Sequence, residues 1–528
     1  MSGSGKKNQK NTTETQEKVL TRYDLKVQRR MEEKKREERN KRIASAVGIL
    51  ALIGLACWLI SFPVRSWMTL HNTYVIVAGE KVTKVEFDYN YYTVLNNFIS
   101  TNGYMLSLMG LDLSGDLSEQ MYSDTLTWKD YFDEMALNNL LTGKAMRKDM
   151  ETAGFTYDES EDYENFVAAL REAAEETGIS FKEYLKEFYG PYATLGRVES
   201  YIRQDLKVSA YLEAVADDNP PTDDEIQAYY EDNKNSFDCV DYHILTVYAD
   251  LPTEPTELAD PVEKTDEASS DDGEEAYTPS QAEIDAAMAI AKAEAEELQK
   301  TVATEGEAHT NVTLSSLNYQ VSAWLADSER KKGDTTVIEV SYNHSYYVVS
   351  FDDRYIDSTL SADVRVILTA DGNGQEILDE WAAGEASEDS FARLADQYNV
   401  SYADIQEGGL IKGLAPNQLA AELAAWLSDE TRKHGDTAAI TPEGYSNSYI
   451  FYYVGTGEPV WKVTIRNTLI AQFKSDYVSS LTEGLTVEDP HHNLNYLKVR
   501  AEQEAAAAAA ENDGNDSEDG AMEDSTPE

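Results

Sequence analysis

Residues Ala323–Thr335 read AWLADSERKKGDT, and residues Ala425–Thr437 read AWLSDETRKHGDT. At a constant offset of 102, Trp324, Leu325, Asp327, Arg330, Lys331, Gly333, Asp334, Thr335 and Ile338 match Trp426, Leu427, Asp429, Arg432, Lys433, Gly435, Asp436, Thr437 and Ile440. With one inserted residue, YNHSYYVVSF (342–351) then matches YSNSYIFYYV (445–454). Upstream, YHILT (242–246) matches RVILT (365–369). Each copy reads as strand, helical middle, amphipathic helix ending in AWL, GDT turn, strand. A period of about 100–120 residues is that of a duplicated domain, because solenoid repeats are only about 20–50 residues long. The chain must therefore fold the same module twice.

The motif's chemistry is mostly structural. Leu419, Leu423, Trp426 and Leu427 fall at i, i+4, i+7 and i+8, which puts them on one helix face. Trp there reads as a core anchor. Arg and Lys beside the helix end meet the negative pole of its dipole. Gly435 is expected to supply the positive-φ stop. The last strand is apolar or aromatic at Tyr449–Val454, so both of its faces can be buried.

Ile43–Phe62 holds 20 residues without a charge, enough for a helix of about 30 Å, the thickness of a bilayer core. Residues 1–42 carry 14 Lys and Arg against 7 Asp and Glu, and the whole chain has a net charge of −52. The positive-inside rule then puts 1–42 in the cytoplasm and 63–528 outside. A cleaved signal is disfavoured, since the basic leader is too long and no A-x-A site follows. A lipoprotein reading would use Cys57, but Gly54 stands where a lipobox needs Leu. The expected location is the cell membrane of a Gram-positive-type bacterium, as a single-pass protein with its bulk extracellular. The acidic bulk excludes nucleic acid as a partner. The other cysteine, Cys239, lies beyond the anchor, so no intramolecular disulfide and no metal spacing is expected. The adjacent histidines of DPHH (489–492) read as charged linker, and no metal or cofactor is implied.

Between the anchor and the repeat the periodicity is helical. Residues 75–237 form one expected helical domain. Thr222 with Glu225 makes a capping box after two prolines, and Ser280 with Glu283 makes another. Residues 238–357 are the first repeat copy, with an acidic insertion at 250–279 expected to be disordered; 361–460 are the second. Residues 461–497 read as a C-terminal helix and linker, and 498–528 as a disordered acidic tail. The fold class is α+β.

The order of these signals resembles a family. Strand HIL, a helix like SFARLADQY (390–398), GGL (408–410), NQL (417–419), a helix with Trp, GDT and a final strand are similar to the parvulin-type peptidyl-prolyl isomerase domain. GEKVTKVEFDYNYY, the helical region and TDDEIQAYYEDNKNSF resemble the chaperone part of PrsA/SurA-type foldases. The resemblance implies a helical SurA-N-like clamp followed by two parvulin-like α/β domains, the first degenerate. It also implies unfolded or partly folded secreted proteins as partners, and it allows a homodimer. In parvulins a first-strand and a last-strand histidine share the site, and a Met or Leu with a Phe lines the proline pocket. Carried over, the first-strand position is His243 and the last-strand position is Tyr347 in the first copy; in the second copy they fall on Val366 and Ile450. Leu419 and Leu423 take the pocket positions. His243 is thus the one inherited catalytic candidate, beside its reading as a histidine bonded within a sheet.

Three functions fit this reading: a foldase or chaperone for exported polypeptides with weak or absent isomerase activity, an active parvulin-type isomerase, or a tethered assembly protein with one fixed partner. The anchor makes a direct prediction. Protease added to intact cells should digest the chain beyond residue 63 and leave an epitope within residues 1–42 intact; loss of that epitope would reverse the topology.

Overall fold

The computed structural model describes residues 67–258, 277–370, 372–399 and 407–515. The expected anchor Ile43–Phe62, the tail 1–42 and the middle of the acidic insertion lie outside them. Among the described residues, no helix is long and apolar enough to cross a membrane. The architecture is α+β. Its strands are β1 Thr73–Val77, β2 Glu80–Thr83, β3 Asp238–Tyr248, β4 Glu307–Thr313, β5 Thr335–Val340, β6 Ser345–Ile356, β7 Leu360–Thr369, β8 Leu410–Leu414, β9 Thr437–Ile440, β10 Ser448–Pro459 and β11 Val487–Glu488. They form three antiparallel sheets, ordered β11-β1-β2, β4-β3-β6-β5 and β8-β7-β10-β9.

The described residues divide into two compact units: those within 1–144, 182–202 and 484–528, and those within 145–181 and 203–483. The stretch 75–237, expected as one helical domain, is therefore shared between both. In the first unit, β1 and β2 join through Ala78 and Gly79, both at positive φ as a two-residue hairpin requires. Thr83 then caps the helix Lys84–Asn102, its Oγ1 accepting from Glu86 N at 3.2 Å. The apolar faces of this helix and of Trp128–Ala153 close over the sheet, burying Val75, Val77, Phe87, Leu137 and Leu140.

Residues 487–496 are not linker. β11 pairs with β1, and Leu494 and Tyr496 are buried in the same core. A strand of two residues is too short to show a period, which is why the sequence reads as linker there. Residues 495–515, mostly within the expected disordered tail, are helical, as their alanine run favours.

The second unit contains both repeat copies and the helix Val460–Thr482. Asp149 accepts hydrogen bonds from Tyr211 and Tyr477, which ties three helices of this unit together. Both capping boxes are present, at Thr222/Glu225 and Ser280/Glu283. Glu283 also accepts from Thr256 Oγ1 at 2.6 Å and Tyr277 Oη at 2.5 Å. The two ends of the acidic insertion are thereby pinned at one carboxylate.

A buried ionic pair sits in the first unit. Asp133 is almost fully buried and receives Lys129 Nζ at 2.5 Å. Burial outweighs Lys129 and Lys84 and pushes the Asp133 pKa up to about 6. The unfolded chain releases that proton near pH 4, so the contribution is full below pH 4 and is lost as pH rises through 6. Relative to the parent, Asp133→Asn should gain up to about 3 kcal/mol between pH 4 and pH 7. Thermal melts across that range check this; a constant difference would contradict it.

Candidate functional site

The hydrogen-bond register establishes which residues of the two copies are equivalent. Thr335 pairs Ser350 where Thr437 pairs Tyr452, and Ile338 pairs Tyr347 where Ile440 pairs Tyr449. The offset of 102 therefore continues unbroken through the last strand, and the one-residue insertion expected from the sequence is not there. On the first strand His243 pairs Ser350 and Arg365 pairs Tyr452, so His243 is equivalent to Arg365 and not to Val366. Likewise Tyr347 is equivalent to Tyr449, not to Ile450. A slip of one residue moves every side chain to the opposite face.

The repeated motif builds the same staple twice. The Arg330 guanidinium lies 4.1 Å from the Trp324 ring centroid, and Arg432 lies 4.1 Å from that of Trp426. Each Nε donates to its tryptophan's carbonyl at 3.2 Å, satisfying the end of a seven-residue helix. Each guanidinium also reaches Asp327 (2.8 Å) or Asp429 (3.4 Å). The glycines do not stop the helices, which end at Leu325 and Leu427. Gly333 and Gly435, at φ +88° and +91°, turn the chain into the next strand instead. Their amides donate to Phe351 O at 2.8 Å and Tyr453 O at 2.9 Å.

Each sheet is covered on both faces. In the second copy the AWL-helix face buries Leu423, Leu427, Val366, Phe451 and Tyr453, with Leu419, Trp426 and Tyr449 partly buried against them. Leu419 precedes the helix Ala421–Leu427 yet still joins this cluster. The other face holds Ile367, Ile450 and Tyr452 under the helices Gly374–Ala383 and Glu388–Tyr398. The first copy repeats the AWL face with Val321, Leu325, Tyr242, Val349 and Phe351. Its other face is covered by the helix Gln281–Leu298 and by the short helix Val302–Glu305, whose Val302 is buried there.

The expected site residues do not converge. Tyr347 packs on the AWL face of the first sheet. His243 shares the opposite face with Leu245 and Val247, since its cross-strand partner is Ser350. Leu419 and Leu423 belong to the second copy. His243 Nδ1 lies 2.8 Å from Asp352 Oδ2, though not aligned as a hydrogen bond. Ser350 beside it is fully buried with its hydroxyl unpaired. In the second copy the equivalent face carries a polar network: Arg365 Nε lies 3.0 Å from Glu388, Glu388 lies 3.6 Å from His434 Nε2, and His434 lies 3.3 Å from Tyr452 Oη. Register, not composition, exposes this network.

The AWL face is different in kind. At its edge in the first copy, Tyr347 is joined by Tyr342, 75% exposed, and Tyr248, 66% exposed. The hydrogen bond with Tyr342, then burial, push the Tyr347 phenol up. A cavity of about 550 Å³ opens beside the same face of the second copy, lined by Asp357, Thr359, Leu427, Asp429, Tyr453 and Thr456. The staple should be measurable. A cycle of Trp426→Ala and Arg432→Ala in urea melts should give a coupling of about 0.5–2 kcal/mol, matched by Trp324 and Arg330. Zero coupling would mean the stack holds nothing.

No family model matches the chain, and no curated protein matches it. Its structural neighbours are SurA-like chaperones and PrsA peptidyl-prolyl isomerases. A SurA-like chaperone of Campylobacter jejuni is 12% identical with a TM-score of 0.21, over 79% of this chain and 99% of that one. The peptidyl-prolyl isomerase PrsA of Bacillus anthracis is 11% identical with a TM-score of 0.18, over 42% and 80%. PrsA of Bacillus subtilis is 13% identical with a TM-score of 0.14, over 55% and 94%.

Proposed function

We propose that this chain is a membrane-anchored extracytoplasmic chaperone for unfolded exported polypeptides, whose two parvulin-like modules bind chain segments without isomerising them. One observation carries this reading. In both copies the histidine-bearing groups, His243 with Asp352 and His434 with Glu388 and Arg365, lie on the face of the sheet opposite the apolar groups of the AWL face.

An isomerase needs an apolar seat and groups that favour the twisted amide around one bond, against a barrier of about 18–20 kcal/mol. Leu419 and Tyr347 offer partly exposed aliphatic and aromatic carbon, while Leu423 is buried in the core beneath. Neither His243 nor His434 is beside them. Tyrosine-rich edges such as Tyr342 and Tyr248 suit adaptable contact with varied sequences, through a broad apolar ring and one polar tip.

The test is a proline-limited refolding assay with the full chain in nanodiscs, run beside an aggregation assay on unrelated clients. Aggregation should fall while the slow refolding phase keeps its rate within about twofold. Acceleration that His243→Ala abolishes would establish an active isomerase instead, and suppression confined to a single client would favour a fixed-partner role.

A further inference from the structure

The first unit carries a surface that neither the repeat nor its staple accounts for. Between Gly103 and Thr127 the chain exposes Met105, Leu108, Met109, Leu113, Met121 and Tyr122, with Leu108 79% and Met121 57% exposed. Isolated exposed apolar residues are ordinary, but six within one short segment are not.

The segment is held in place from below and from within. Leu106 and Leu111 are buried against Trp128 and Phe132. Asp112 Oδ1 accepts from Ser114 N at 2.9 Å and Oγ at 2.7 Å, and Asp116 Oδ1 accepts from Ser118 at the same two distances. The Gln120 side chain bonds both the amide and the carbonyl of Asp112 at 2.8 Å. The apolar side chains therefore stand on an ordered backbone, and little backbone entropy is lost when they are covered. Methionine adds a surface that can refit different shapes.

Charge selects the occupant. No Lys or Arg lies between Lys84 and Lys129, while Asp112, Asp116, Glu119 and Asp124 are all exposed in the same segment. Hydrogen bonds from Ser114 and Ser118 hold the Asp112 and Asp116 carboxyls below their usual range, which keeps them charged. An apolar segment that also carries four exposed carboxylates, with Lys129 the one cation acting on Asp116, repels acidic chains and anionic headgroups and attracts cationic ones. We propose that the Gly103–Thr127 segment docks polypeptide stretches that are both apolar and positively charged. This deepens the chaperone reading and rests on it only for the identity of the client.

Fluorescence anisotropy on the full chain in nanodiscs tests it, with an 18-residue amphipathic peptide carrying Lys on its polar face and a twin carrying Glu there. The Lys peptide should bind at least tenfold more tightly than its twin and weaken as salt rises. Leu108→Ser with Met109→Ser should lower its affinity at least tenfold at unchanged melting temperature. That variant keeps the chain's net charge, so it separates this surface from general attraction to an acidic protein. Equal binding of the twins, or unchanged affinity in the serine variant, would overturn the proposal. Protection of Leu108–Leu113 amides by the nanodisc alone, read by hydrogen exchange, would overturn it in favour of a lipid occupant. Aggregation suppression that survives in the serine variant together with an unchanged affinity for the Lys peptide would sink the surface and leave the chaperone reading standing. Peptide docking without any suppression would do the reverse.

Discussion

An arginine lying on a tryptophan is the contact on which the duplicated half of this chain depends. Arg330 and Arg432 each stack on the indole six residues before them, bond that residue's carbonyl and pair with an aspartate of the same turn. A helix of seven residues is too short to hold itself in water. The staple satisfies its C-terminal end, and the buried leucines Leu325 and Leu427 fix it to the sheet. The Trp, Asp and Arg of the repeated motif all serve that closure, which accounts for their recurrence in both copies.

Fixing that helix divides each sheet into two unlike faces. One is aliphatic and aromatic and ends in exposed tyrosines in the first copy. The other is covered by the longer helices and holds the ionisable groups, His243 with Asp352 in one copy and Arg365, Glu388 and His434 in the other. Binding surfaces tolerate such a division, while catalysis at one bond does not. The acid-rimmed apolar segment of the first unit follows the same logic by other means, since it has apolar contact area and charge but no acid–base pair aimed at a common atom.

Much of this was legible in sequence because it was local. The repeat, the helix with Leu423 and Leu427 on one face, and both capping boxes depend on residues a few positions apart. Register was not local. In β6 and β10 both faces are buried, so Tyr346–Phe351 and Ile450–Val454 lack the apolar–polar alternation that marks an inward side. The repeated Ser-Tyr pairs then match at a shift of one residue, which carried Tyr347 onto Ile450, and the ILT of the first strands matches one residue out of register in the same way, which carried His243 onto Val366. The return of Leu494 and Tyr496 to the first core was hidden by distance along the chain. A signal for the exposed segment was present, in the absence of any Lys or Arg from 85 to 128 beside a run of Leu and Met.

The central claim is that two copies of one module share one unbroken register, which sets histidines and apolar seats on opposite sides. Engineered cysteine pairs measure it directly. Ile338→Cys with Tyr347→Cys, and Ile440→Cys with Tyr449→Cys, join residues paired across the ladder on one face. Both pairs should form disulfides under mild oxidation, while Ile338→Cys with Val348→Cys and Ile440→Cys with Ile450→Cys should not. Cross-linking of the shifted pair in either copy would break the equivalence, and in the first copy it would also return His243 to the apolar face.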